Sequence, residues 1–136
     1  MTLEHRSRWW IVVAMGQQHH PTVLIVEDEG IVRLDAAETL REAGFRVVEA
    51  ADAREAMQVV EARGDIDVMF TDVNMPGPMN GLELAHRVRR SRPDIRVILT
   101  SGAMRIPPQE IPDDGVFVRK PYSPEIIART VRRMVA

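Results

Sequence analysis

The stretch Thr22-Val23-Leu24-Ile25-Val26 is a continuous apolar run, β-branched at all but Leu24, and it runs straight into three acids, Glu27-Asp28-Glu29. A strand with one wet face alternates polar and apolar residues, whereas one that is apolar throughout is covered on both faces, as in a parallel sheet. Such a sheet needs helices on both sides. Polar residues at the carboxyl ends of its strands then lie where open parallel sheets hold their working sites. With 136 residues the chain has room for one such domain.

The rest of the chain repeats this alternation. Val32, Ala36, Leu40 and Ala43 recur at helical spacing over about residues 29–43, and Gly44 follows where a helix stops. Phe45 to Ala50 reads as a second strand, with Asp52 as N-cap of a helix ending near Gly64. Val68 to Thr71 is a third strand ending at Asp72, and the turn-rich loop 74–81 leads to a helix through Leu82, Leu84, Ala85 and Val88. Ile95 to Thr100 is a fourth strand, ending at Ser101-Gly102. Pro107, Pro108 and Pro112 then restrict any helix there to a short or distorted one. Val116 to Arg119 is a fifth strand, and Ser123-Pro124 predicts an N-cap and first turn for a closing helix through Ile126, Ile127, Thr130 and Met134. Five strands alternating with five helical segments predict a doubly wound α/β sheet with right-handed crossovers.

Composition narrows the function classes. Eighteen basic against 20 acidic residues leave a net charge of −2, so no global positive field holds nucleic acid. The arginines at 87, 89, 90, 92, 129, 132 and 133 lack aromatic partners and read as solvated helix faces. The absence of cysteine removes disulfides and thiolate chemistry and agrees with a reducing, cytoplasmic setting. The longest apolar run, Trp9 to Met15, is far short of the roughly 20 residues of a membrane helix, and Gly16-Gln17-Gln18-His19-His20 is a poor cleavage site. Residues 1–20 are therefore expected to be an extension, native or from a misplaced start, ahead of a domain at 21–136. His19-His20 lacks supporting ligands, and His86 reads as a surface helix residue.

The strand ends gather Glu27 and Asp28, Asp72, Thr100 and Ser101, and Lys120 on one edge. Clustered carboxylates repel, and a hard, oxygen-seeking cation such as Mg²⁺ relieves that repulsion. A cation together with an ammonium stabilises the charge of a transferring phosphoryl group. Asp72, alone at its strand end, is the candidate nucleophile, and Glu27-Asp28 the metal-holding pair. Lys120 is the one lysine among 18 basic residues, and a compact ammonium does what arginine's planar fork does not.

The stretches Val23-Leu24-Ile25-Val26-Glu27-Asp28-Glu29, Phe70-Thr71-Asp72-Val73-Asn74-Met75-Pro76-Gly77, Val97-Ile98-Leu99-Thr100-Ser101-Gly102 and Phe117-Val118-Arg119-Lys120-Pro121-Tyr122 together resemble the receiver domains of bacterial two-component response regulators. The resemblance covers about residues 21–136 and implies a five-stranded, flavodoxin-like sheet of order 2-1-3-4-5. It implies Asp72 as phosphoacceptor, and Mg²⁺ held by Asp28, by Glu27 largely through water, by Asp72 and by the Asn74 carbonyl. It also implies Ser101, rather than Thr100, as the switch hydroxyl, Phe117 as the aromatic switch position and Lys120 as the cationic partner. The expected phosphodonor is a histidine kinase or histidine phosphotransfer protein, docking on Ile31, Leu34 and Tyr122. A downstream protein partner or a role as phosphate sink would provide the output, in a stand-alone domain whose chemistry is limited to its own phosphorylation and dephosphorylation. Nucleic acid and membrane are not expected partners.

Four features depart from the common pattern: a glutamate as first acid, a loop of four residues between Pro76 and Gly81 that is one longer than expected, the prolines after Ala103 and the leader. Two other classes share the features. An aspartyl phosphohydrolase normally carries a second acid two residues after the nucleophile, where this chain has Asn74. A binding module that is never phosphorylated would keep the fold without needing the acids and the lysine.

Overall fold

A computed structural model of the chain describes residues 20–102 and 105–136. The leader readings, including the Trp9 to Met15 run, and His19 fall outside the described residues. The elements in order are β1 (Thr22–Val26), α1 (Gly30–Glu42), β2 (Arg46–Ala50), α2 (Ala53–Ala62), β3 (Val68–Asp72), α3 (Gly81–Ser91), β4 (Arg96–Ser101), a 3-10 turn (Pro108–Glu110), β5 (Val116–Arg119) and α4 (Pro124–Val135). The five strands form one parallel sheet of order β2-β1-β3-β4-β5.

Both faces of the sheet are covered. Leu24, Val26, Met69, Val97 and Leu99 point into a core completed by α2 and α3, through Ala53, Ala56, Val60, Leu84, Ala85 and Val88. Their strand neighbours Val23, Ile25, Phe70 and Ile98 point the other way, into a core completed by α1 and α4 through Ala36, Ala37, Leu40, Ile127, Ala128 and Val131. The period of two in each strand feeds two separate cores, which is why β1 and β3 are buried at all five positions.

Local chemistry sets the helix ends. Asp52 Oδ1 accepts from the Glu55 N–H at 2.8 Å, and Asn80 Oδ1 from the Glu83 N–H at 2.9 Å, each satisfying a first-turn donor. Gly44, at φ 97°, takes the left-handed conformation that ends α1. Ser123 occupies the N-cap position of α4, but its hydroxyl makes no capping bond. Val32 is half-buried beside the open carboxyl edge, so the α1 stripe runs through Ala36, Ala37 and Leu40.

Among the described residues the five helical segments are four α-helices and, between β4 and β5, one 3-10 turn as short as the prolines there require. Pro107, Pro108 and Pro112 lack donors that a helix between β4 and β5 would need. The connection is instead anchored by Ile106, 5% exposed within the α2–α3 core, and by a contact between His86 Nε2 and the Glu110 carbonyl at 2.7 Å. None of the described helices is long and apolar enough to cross a membrane.

Candidate functional site

Every strand-end polar residue read from the sequence reaches one edge of the sheet. The backbone ladder carries β3 through Asp72, which pairs with Thr100 of β4, while Ser101 pairs with Arg119, next to Lys120. Oxygen atoms of Glu27, Asp28 and Asp72 all lie within 4.8 Å of one another. Glu27 and Asp72 are buried, at 4% and 6% exposure, whereas Asp28 faces solvent.

Lys120 reaches across this group. Its Nζ donates to Asp72 Oδ2 at 3.1 Å and to Glu27 Oε1 at 3.2 Å. The remaining oxygens are held by the main chain: Asn74 N–H donates to Asp72 Oδ1 at 3.1 Å and Glu29 N–H to Glu27 Oε2 at 3.2 Å. Burial pushes the Glu27 carboxyl up, the Glu29 N–H pulls it down, and with the Asp72 charge adding to burial the pKa stays above the ordinary value. Burial alone would lower the Lys120 ammonium, but the bond to Asp72 and the charges of Asp72 and Glu27 outweigh it and leave its pKa raised.

Tight backbone packing holds the loop after β3. A Cβ on Gly81 would lie 1.8 Å from the Asp72 carbonyl oxygen, so only glycine lets the start of α3 approach the phosphoacceptor candidate this closely. Ser101 is fully buried, and its Oγ accepts from Asn74 Nδ2 at 2.9 Å. Thr100 is equally buried, and its Oγ1 has no hydrogen-bond partner among the described residues. Phe117 is half-buried against the α2–α3 core.

The candidate docking residues divide. Ile31 is 86% exposed and Leu34 50% exposed, on the outer side of α1. Tyr122 turns inward, its ring edge-on to Phe70 with centroids 5.5 Å apart. Burial, partly offset by the Lys120 charge, pushes its phenol up to about 12. Of the arginines read as solvated faces, Arg92 donates to the Val60 and Arg63 carbonyls, Arg89 to the Pro93 carbonyl, and Arg132 stacks over Phe45. Gly81, Arg33, the Asn74 side chain and Ile126, 40% exposed on α4, carry no functional signal in the sequence pattern. The only cue at Gly81 is a glycine directly after the Asn80 cap.

Residues 23–132 match the family model of the response regulator receiver domain. The chain belongs to that family. This receiver is 38% identical over 118 residues to the sensor kinase CckA of Brucella abortus, covering 84% of this chain and 12% of that protein. It is 36% identical over 104 residues to the transcriptional regulatory protein PdtaR of Mycobacterium tuberculosis, covering 74% and 50%. The receiver thus spans half or less of these curated relatives. Among solved structures it is similar to the receiver domain of the hybrid histidine kinase CckA, at 34% identity and a TM-score of 0.72, covering 85% of this chain and 99% of that one. Receivers are signalling domains of two-component systems, and the strand order and four helices fit that fold.

Proposed function

We propose that this receiver takes a phosphoryl group onto Asp72 from a phosphohistidine of a histidine kinase or phosphotransfer protein, and later loses it to water. The observation that carries this reading is the placement of Lys120 Nζ within 3.2 Å of both buried carboxylates, Asp72 and Glu27, beside the exposed Asp28. An Asp72 oxygen attacks phosphorus, the phosphorus–nitrogen bond breaks, and its electron pair remains on the imidazole. In the reverse half of the cycle water attacks phosphorus and the Asp72 carboxylate leaves, giving inorganic phosphate.

The donor set suits Mg²⁺: three carboxylate groups whose oxygens lie within 4.8 Å, one of them open to solvent, with no nitrogen or sulfur donor. Glu27, Asp28, Asp72 and the Asn74 carbonyl would hold it. When bound, Mg²⁺ supplies charge stabilisation for the phosphoryl oxygens. Phosphorylation adds a charge of roughly −1.5 to −2 and three acceptor oxygens. Lys120 exchanges its Asp72 contact for the phosphoryl group, and Ser101 turns to it at the expense of the bond from Asn74. Those exchanges draw in the chain after β4 and β5, and Phe117 repacks with them.

Docking of the phosphodonor rests on Ile31 and Leu34, with Ile126 of α4 beside α1 in place of the inward-turned Tyr122. The likeness to the receiver of a sensor kinase supports a histidine kinase as donor. The output is a protein partner, or the domain drains phosphate from its donor. Incubation with Mg²⁺ and a small phosphodonor, followed by intact mass, tests the reading. A labile phosphoryl adduct that is lost on omitting Mg²⁺ and in Asp72→Asn is expected. No adduct, or one unchanged by Asp72→Asn, overturns it, and rapid turnover of unrelated phosphate esters indicates a phosphohydrolase instead.

A further inference from the structure

Asp28 is the least supported member of the acid group. It is exposed, and its carboxylate has no hydrogen-bond partner among the described residues, whereas both oxygens of Glu27 are engaged. Its place near Glu27 and Asp72 is therefore set by the main chain that delivers it. That main chain is clamped at Glu27 from two sides. The Glu27 N–H donates to the Ala50 carbonyl at 3.1 Å, extending the β1–β2 ladder by one bond. The Glu27 carbonyl, which belongs to the peptide unit leading into Asp28, accepts from Arg33 Nη1 at 2.7 Å.

Arg33 comes from α1 and is itself held. Its Nε donates to Glu49 Oε1 of β2 at 3.3 Å, with only 22% and 29% of the two side chains exposed. A planar fork can meet a carboxylate and a carbonyl at once, which a single ammonium on a flexible stem does less well. We infer that Arg33, tethered by Glu49, is a positioning residue that fixes the Glu27–Asp28 peptide and so sets the Asp28 carboxylate for a divalent cation. This rests on the phosphoacceptor reading above and adds to it a residue outside the acid group.

Position and charge pull in opposite directions here, which makes the inference testable. Arg33 is a cation near a cation site, so removing its charge alone should tighten Mg²⁺ binding. Removing its hold on the peptide should weaken it, by about 10-fold if Arg33 behaves as partners that orient metal ligands generally do. Arg41 is the control. It donates to the same Glu49, from Nη2 at 3.4 Å, and does not touch Glu27.

Mg²⁺ is titrated into the full chain and followed by amide chemical shifts, for wild type, Arg33→Ala, Arg33→Lys, Arg41→Ala and Asp28→Asn. Expected are wild-type binding, its loss in Asp28→Asn, about 10-fold weaker binding in Arg33→Ala, partial recovery in Arg33→Lys, and no weakening in Arg41→Ala. The Mg²⁺ concentration for half-maximal phosphorylation by a small phosphodonor should rise in step for Arg33→Ala while the plateau rate is kept, a split that general loss of structure would not produce. If Arg33→Ala does not fold, Arg33→Lys carries the comparison. Arg33 variants that bind Mg²⁺ as tightly as wild type, or that weaken no more than Arg41→Ala, overturn the role of Arg33 alone. A wild type that binds no Mg²⁺ overturns the phosphoacceptor reading and this inference together.

Discussion

Two adjacent hydroxyls end β4, and their surroundings predict opposite responses to deletion. Thr100 is 1% exposed with no partner for Oγ1 among the described residues, so replacing it by valine keeps the shape and removes a buried, unpaired polar atom. Such a group costs about 1 kcal/mol or more. Thr100→Val should therefore stabilise the fold by about 1 kcal/mol, raising the midpoint by about 4 °C for a domain of this size. Ser101→Ala breaks the bond from Asn74 and should cost about 1 kcal/mol, with adduct formation at Asp72 retained and the structural response to it lost. Thermal melts by circular dichroism, and amide shifts before and after phosphorylation, measure both. A valine variant that melts below wild type, or one that loses the response while Ser101→Ala keeps it, refutes the assignment of the two hydroxyls.

Gly81→Ala places a methyl 1.8 Å from the Asp72 carbonyl, so the loop after β3 must shift; a loss of about 3 kcal/mol in urea unfolding and of phosphorylation is expected, and unchanged stability would contradict the close approach. Lys120→Ala leaves two buried carboxylates without their ammonium; the metal-free melt should fall sharply and excess Mg²⁺ should recover more stability than in wild type, measured by paired melts with and without the ion. Tyr122 is the chain's one tyrosine, and its phenol should ionise near 12 rather than 10 in a 295 nm absorbance titration. Since the folded pKa lies above the unfolded one, the associated stability is full below about pH 10 and is lost as pH rises toward 12; a native protein titrating near 10 would contradict the buried ring.

What was legible in the sequence follows from how regular elements present side chains. A strand apolar at every position demands cover on both faces, so Thr22–Val26 announced a parallel sheet, and the residues after each strand announced the site edge. Glu27, Asp72 and Lys120 are far apart in the chain, yet both carboxylates come within 3.2 Å of Lys120 Nζ, because the ladder places strand ends side by side. The same logic fails where a contact leaves a helix or loop sideways. Arg33 lies on α1 as an ordinary helix residue, and nothing in its spacing says that its guanidinium reaches back to the Glu27 carbonyl. Tyr122 follows Lys120-Pro121 in a segment without period, so its inward turn onto Phe70 is decided by packing.

These two classes of residue do different work in the same site. The most legible ones carry charge: the carboxylates of Glu27, Asp28 and Asp72 and the ammonium of Lys120. The side chains left unread carry none to the reacting atoms and govern where the charges stand: Gly81 by having no Cβ, Asn74 Nδ2 by holding Ser101 Oγ, and Arg33 by fixing a peptide. Charge type is written in residue identity, whereas position is written in contacts with the main chain and between side chains that no sequence period announces. Asp28 shows the consequence most clearly, since its carboxylate makes no bond of its own among the described residues and its use depends on how the Glu27 peptide is held. A chain with all four charged residues intact and a loosened Glu27 peptide would therefore look like a complete receiver by sequence and bind its cation poorly.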